Sequence, residues 1–354
     1  MKTTMTRKRL HNKAETIIFF LIGACLLFQL SCVTPGLPPA TPEKEIVPEK
    51  PATPTVFQSE DYIVYILQGG ETSASLADRF LGDAGKSWII EDANEDVPFE
   101  KDGAIVIPLR EENKGGLAPD GYQIVPILCY HRFAENCNQN TCMPAHIFDQ
   151  QMKYLKDNGF RVIGLDEILD FLQYRQAIPK KSVAITIDDG YKSGYDIAYP
   201  ILKKYGFTAT FFIYTDFVSA SKNAVTWDQL RELKKDGFEI GSHTLSHCDL
   251  TKEKEGEDDK AYLARITKEL KDSKRIIDNK LKQNTIHLSF PYGMYNQTIL
   301  RICEQEGYKT SVSVERGGNP FFADPLFLNR DQVLKEDLDS FTGVLETFNK
   351  LSLR

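Results

Sequence analysis

Residues 183–194 read VAITIDDGYKSG. An apolar, β-branched run stops on two adjacent carboxylates, Asp188 and Asp189, followed by Gly190. The run has the composition of a strand. Asp-Gly marks a turn, and Asp also caps helices well. Two carboxylates side by side repel, and one of such a pair has its pKa raised. A turn accounts for Asp-Gly but not for a second acid where a buried strand ends. The surrounding sequence decides between a plain turn and a site.

From Gln123 to Val333, strand-like and helix-like segments alternate. IVPILCY, VAITI, TATFFIY, EIGSH, TIHLSF and KTSVSV are strand-like. FDQQMKYLKDNGF, GYDIAYPILKKYG, TWDQLRELKKDGF, LARITKELKDSKRIIDNKL and NQTILRICEQEGY have helical spacing, several with a Gly stop. Repeated β-α units imply an α/β fold with a mainly parallel sheet and helices outside it. Barrel-like closure and an open doubly wound sheet both fit that pattern.

In either case the chemistry lies at the C-terminal ends of the strands. VAITI ends in Asp188 and Asp189, and EIGSH ends in His243 with His247 four residues on. IHLSF leads to Pro291-Tyr292-Gly293, and PILCY ends in Tyr130 and His131. His243 and His247 at i and i+4 can face one point, as metal-binding pairs do. Two His and one carboxylate form a set for a catalytic divalent ion. A lone H-x-x-x-H is more often a pair of satisfied surface histidines. Here both follow a strand, in GSHTLSH, among small hydroxyl residues that leave room for a ligand.

These segments resemble the polysaccharide deacetylase (NodB homology) family of carbohydrate esterases. TIDDG matches its first motif, SHTLSH its second, and SFPYG part of its third. PILCYHRF, FDQQMKYLKDNGF and WDQLRELKKDGFEIGSH are similar to the branch acting on extracellular poly-N-acetylglucosamine. The resemblance implies a distorted (β/α)7 barrel over residues 123–335 and removal of acetyl groups from a polysaccharide. It further implies that Asp189, His243 and His247 hold a divalent metal, zinc by preference, with nickel, cobalt or iron also compatible. Asp188 is then the general base, and the Tyr292 backbone N–H completes an oxyanion site. His131, Pro291 and Tyr292 are the substrate-pocket candidates, while His146 and His287 read as structural. Two departures stand out. Ser289 occupies the place where the third motif commonly carries an Arg, and Asn329-Arg330 stands where many members have a late His. Arg330 is therefore expected to replace the missing Arg as partner of Asp188. The competing reading is a non-catalytic envelope glycan-binding lipoprotein with an inactive deacetylase fold.

Residues 60–110 form a second, smaller unit. YIVYIL is strand-like, ETSASLADRFLG and KSWIIEDAN are helical, and DGAIVIPL closes as a strand. This βααβ order resembles a LysM domain, through Tyr62, Val64, Gly70-Glu71-Thr72, Leu76-Ala77, Phe80, Trp88, Asn94 and Gly103 to Pro108. The resemblance implies binding of peptidoglycan or related glycans. Residues 32–59, rich in Pro, Glu, Lys and Thr, read as an extended tether. Residues 111–122 read as a linker, and 336–354 as a C-terminal helix or tail.

At the N-terminus, Lys2, Arg7, Lys8, Arg9 and Lys13 precede the apolar stretch Ile17–Leu30. That is the charge and hydropathy pattern of an export signal, shorter than a spanning helix requires. Its end resembles a bacterial lipoprotein signal over 1–31 with lipidation at Cys32; IGAC at Cys25 is the alternative. The implied location is the cell envelope, with the chain anchored to a membrane by lipid. Of seven cysteines, Cys137 and Cys142 flank a polar loop and are the best disulfide pair. A formal net charge of -7 gives no basic field for a nucleic acid.

Overall fold

The computed structural model describes residues 55–110, 113–334 and 337–351. The segment read as a lipoprotein signal, with Cys25 and Cys32, lies outside the described residues, as does most of the 32–59 tether. No helix among the described residues is long and apolar enough to cross a membrane.

The small unit begins earlier than expected. Thr55–Gln58 (β1), inside the segment read as tether, pairs antiparallel with Tyr62–Ile66 (β2). TVFQ follows the last proline of the tether and has β-forming residues, so the extended chain can join a sheet there. Helices Ser73–Leu81 (α1) and Ser87–Ala93 (α2) follow, and Ala104–Pro108 (β3) returns antiparallel to β2. Thr72 and Ser75 form a capping box at the start of α1, and Gly82, at φ 72, ends it. Alternate residues Ile63, Tyr65, Ile105 and Ile107 bury one sheet face against Leu76, Ala77 and Ile90. The Asn94 amide bonds the Ile90 and Val106 carbonyls and accepts the Val106 N–H, tying α2 to β3. Glu91 pairs with Arg161 of the larger unit, and Lys180 bonds Asp92 and pairs with Glu95.

The larger unit alternates strands and helices: Ile127–Tyr130 (β4), Ala145–Asp157 (α3), Leu165–Leu172 (α4), Ser182–Ile187 (β5) and Tyr199–Tyr205 (α5). Thr210–Ile213 (β6), Trp227–Lys235 (α6), Glu239–Ser242 (β7), Asp259–Leu281 (α7), His287–Ser289 (β8), Gln297–Gln305 (α8), Thr310–Val312 (β9) and Asp331–Gln332 (β10) complete it. The sheet order is β9-β8-β7-β6-β5-β4-β10, every pairing parallel. Every residue of β5 is buried, which explains its unbroken apolar reading: a parallel strand covered on both faces shows no alternation. The result is a curled parallel half-barrel. Leu328 makes a parallel bridge to Val312 of β9, and three residues later β10 pairs with β4. One short stretch thus reaches both edges of the sheet.

Two local expectations change. The linker 111–122 and the tail 336–354 contribute strands: Leu117–Ala118 and Phe348–Lys350 both pair antiparallel with Gly121–Val125, which also takes Asn319–Pro320. The tail's helix is the short Leu338–Thr342. α4 carries helical spacing in Leu165, Ile168, Leu169 and Leu172, all buried, which the strand-and-helix reading passed over; the two-residue β10 is too short to stand out from sequence. Cys137 and Cys142 are joined by a disulfide.

Gly241 in β7 permits the tight curl. A Cβ there would lie 2.5 Å from the Phe212 ring and 3.1 Å from the His287 carbonyl oxygen of the next strand. Gly241→Ala is expected to destabilise the fold by about 1–3 kcal/mol through overpacking, measured as a lower urea midpoint at unchanged slope.

Candidate active site

Asp188 continues the strand pairing of β5: its N–H donates to the Tyr130 carbonyl at 2.9 Å. Strand geometry sends the next side chain to the opposite face. The chain avoids that by turning left-handed at Asp189 (φ 76) and again at Gly190 (φ 78). Both carboxylates then point to the C-terminal rim of the sheet. The turn expected at Gly190 starts one residue earlier, at an Asp, which tolerates this conformation better than most residues. Thr244, His247 and Tyr292 are also left-handed, with φ of 69, 61 and 60. Such backbone costs free energy and clusters at functional sites.

Asp189, His243 and His247 converge, their ligand atoms all within 4.8 Å of one another. His247 Nε2 lies 3.2 Å and His243 Nε2 3.5 Å from Asp189 Oδ1. The two histidines sit on a loop after β7 rather than on a helix. His243 Nδ1 is hydrogen-bonded to the Ser289 carbonyl at 2.8 Å, which turns Nε2 toward Asp189. Partnering of the second ring nitrogen is how ligating histidines are oriented.

Glu269 of α7 holds the loop that carries His247. Its carboxylate accepts the Leu245 N–H (3.1 Å), the Ser246 N–H (2.9 Å) and the Ser246 hydroxyl (2.8 Å). The motif reading missed this residue. Its signal is an acid on the apolar stripe of a helix, beside Ile266, Leu270 and Ile277, where a charge needs partners.

Asp188 is 2% exposed and Arg330 0%. Arg330 Nη1 and Nη2 each donate to a different Asp188 oxygen at 2.8 Å. The remaining donors go to the Thr186 hydroxyl, the Ser289 hydroxyl and the Ser313 carbonyl. Ser289 also donates to Asp188 at 3.0 Å. Ser289 thus stands beside the pair in the place where the motif commonly has an Arg. Burial alone would raise the Asp188 carboxyl; Arg330 and His243 outweigh it and bring it down to about 2. Burial likewise opposes ionisation of Asp189, but the two histidines hold it well below the usual carboxylate range. For His243, burial lowers the pKa and the two carboxylates more than offset it.

His131 lies just past β4, with a ring nitrogen close to Asp188 and to Cys129. Burial lowers its pKa, and its Nδ1 is buried without a hydrogen-bond partner. Cys129 Sγ is 3.8 Å from Asp188 Oδ2, its thiol pushed up by burial. Pro291 is buried in the turn after β8, and Tyr292 is 63% exposed with its ring 4.9 Å from that of His247. His287 lies apart, at the start of β8, bonded to Thr310 and Asp166, and His146 is exposed on α3.

A polysaccharide deacetylase family profile matches residues 175–311, a span that contains Asp188, Asp189, both histidines and Tyr292. The Bacillus subtilis protein YxkH is 34% identical over 193 residues, covering 54% of this chain and 65% of that one. The poly-beta-1,6-N-acetyl-D-glucosamine N-deacetylase of Staphylococcus aureus is 32% identical over 173 residues, covering 48% and 59%. The chain therefore spans less than two thirds of the length of these curated relatives. Among solved structures, the Streptococcus pyogenes deacetylase PplD in complex with acetate is 32% identical with a TM-score of 0.57, covering 64% of this chain and 99% of that one. IcaB from Ammonifex degensii is 26% identical with a TM-score of 0.56, covering 64% and 96%. With the curled parallel sheet and the acidic and imidazole groups at its rim, these similarities show that the chain belongs to the polysaccharide deacetylase family.

Proposed function

We propose that this protein is a divalent-metal-dependent N-deacetylase acting on an N-acetylglucosamine-containing polysaccharide of the cell envelope or extracellular matrix. The carrying observation is Asp189, His243 and His247 brought together beside a buried, ionised Asp188. Relatives named as N-deacetylases support amide hydrolysis on a glycan. The donor set of one carboxylate and two imidazoles fits zinc best, with nickel, cobalt or ferrous iron also suited. A divalent ion held there polarises an amide carbonyl and acidifies water.

The chain's own groups do the rest. Asp188, kept ionised by Arg330, takes a proton from the attacking water. Arg330 and Ser289 fix the orientation of that carboxylate. The Tyr292 N–H donates to the oxyanion that develops on the acetamide carbonyl. His131, Pro291 and the Tyr292 ring line the acetamide pocket. Acetate leaves and the sugar keeps a free amine. The LysM-like βααβ unit holds peptidoglycan, and lipidation at Cys32 holds the exported chain at a membrane of the envelope.

Acetate release should be assayed on purified peptidoglycan and on poly-β-1,6-N-acetylglucosamine. Asp188→Asn is expected to lower the rate by about 10²–10⁴-fold, and dipicolinate to abolish it until zinc is restored. Bound metal with no release from either glycan would favour a binding protein. Glu269→Gln is expected to weaken zinc binding by about 10–100-fold, read by competition with a chromogenic chelator.

Arg330→Met leaves a buried carboxylate unpaired and is expected to cost about 3–5 kcal/mol in urea unfolding. Arg330→Met combined with Asp188→Asn should recover much of that. Because the folded Asp188 pKa is lowered, the pair's stabilisation is complete above the unfolded carboxyl value near about 4. It is lost as pH falls through about 2.

A further inference from the structure

A row of planar side chains runs along the C-terminal rim in the order of the strands themselves. Tyr292 follows β8, His247 follows β7, Tyr214 and Phe217 follow β6, Tyr191 follows β5, and Arg132 follows β4. Consecutive members touch. Ring centroids are 4.9 Å apart for Tyr292 and His247, 5.2 Å for His247 and Tyr214, 5.1 Å for Tyr214 and Phe217, and 5.4 Å for Phe217 and Tyr191. The Arg132 guanidinium lies over the Tyr191 ring at 4.7 Å.

Packing of the interior does not explain this row. Tyr191, Tyr214 and Phe217 are part-exposed and belong to none of the hydrophobic clusters of the fold. The hydroxyls of Tyr191, Tyr214 and Tyr292 make no hydrogen bond among the described residues. By contrast, the hydroxyls of Tyr195 and Tyr199 bond Glu232 and Asp236. The row is also held in place. Thr215 and Asp216 N–H groups donate to the Thr244 and Leu245 carbonyls, and Val225 N–H donates to the Gly190 carbonyl. At the far end, Arg132 bonds Gln139 inside the loop closed by Cys137–Cys142 and forms no ion pair among the described residues.

We infer that this row is a subsite for the glycan chain, an inference that rests on the N-deacetylase reading. Sugar rings next to the reacting acetamide lie along Tyr214, Phe217 and Tyr191, with the free phenol hydroxyls available to sugar hydroxyls. Tyr214 and Phe217 are stacked with 15° between their planes and Phe217 meets Tyr191 edge-to-face at 75°, so the row offers a sugar ring its exposed edges and outer faces, already fixed and therefore at little entropic cost. Arg132 closes the row with a positive charge. A neutral N-acetylated sugar is tolerated there, and a deacetylated sugar carrying an ammonium is repelled. The enzyme therefore favours acetylated stretches over stretches it has already processed.

The test uses β-1,6-linked N-acetylglucosamine as monomer, as pentamer, and as pentamer with one free amine. Phe217→Ala is expected to raise the pentamer KM by about three- to tenfold, more than the monomer KM, with Phe217→Tyr restoring it. Wild type is expected to prefer the fully acetylated pentamer severalfold. That preference should fade in high salt and be lost in Arg132→Gln. Equal effects of Phe217→Ala on monomer and pentamer would overturn the subsite, and a preference unchanged in Arg132→Gln would overturn the role of the charge. Calorimetry of pentamer binding separates this from the catalytic reading. If wild type releases no acetate but Phe217→Ala weakens pentamer binding, the deacetylase reading fails and the subsite stands. If acetate is released and pentamer binding is untouched by Phe217→Ala, the subsite fails alone.

Discussion

The buried pair between Asp188 and Arg330 is the interaction on which the rest depends. Taking both charges out of water is costly, and their attraction offsets that cost only when nearly every donor and acceptor is satisfied. Here they are: Arg330 donates to Asp188, Thr186, Ser289 and Ser313. Those partners belong to β5, to β8 and to the end of β9, and Arg330 itself directly precedes β10. One guanidinium thus fastens the stretch that spans the edges of the sheet to the strand that ends in the acids. The same guanidinium joins groups from several strands and, with His243, keeps Asp188 ionised.

Around that pair the rim is built from strand exits, each bent by local backbone. Asp189 leaves the strand alternation by turning left-handed, so neighbouring carboxylates meet different partners. Asp188 faces a fixed cation in the interior, while Asp189 faces two imidazoles in a position suited to a metal. Thr244 and His247 make a comparable bend after β7, and Glu269 satisfies the N–H groups this bend exposes. The site is therefore rigid where ligands must meet and open where Tyr292 and its neighbouring rings face solvent.

Much of this was legible in the chain. β5 showed as an unbroken apolar run because a doubly covered parallel strand needs no polar face. The long helices showed through their spacing, and the acids and histidines showed because they stand where strands end. Cys129 did not show, because nothing local marks a strand thiol as facing a site, and Glu269 showed only as an acid on the apolar stripe of α7, which does not say what it holds. β10 was hidden by shortness, and the strands in the linker and tail by pairings far apart in sequence; α4 was passed over despite its helical spacing.

Sequence alone determined the alternation of strands and helices, the residues at the strand exits and the family motifs, since these depend on local spacing and residue type. Tertiary structure decided which exits meet. The distance between His247 and Asp189, the bidentate hold of Arg330 on Asp188 and the row of rings along the rim all depend on how the sheet curls. That curl is set by packing such as the contact of Gly241 with Phe212, and it brings together groups far apart in sequence.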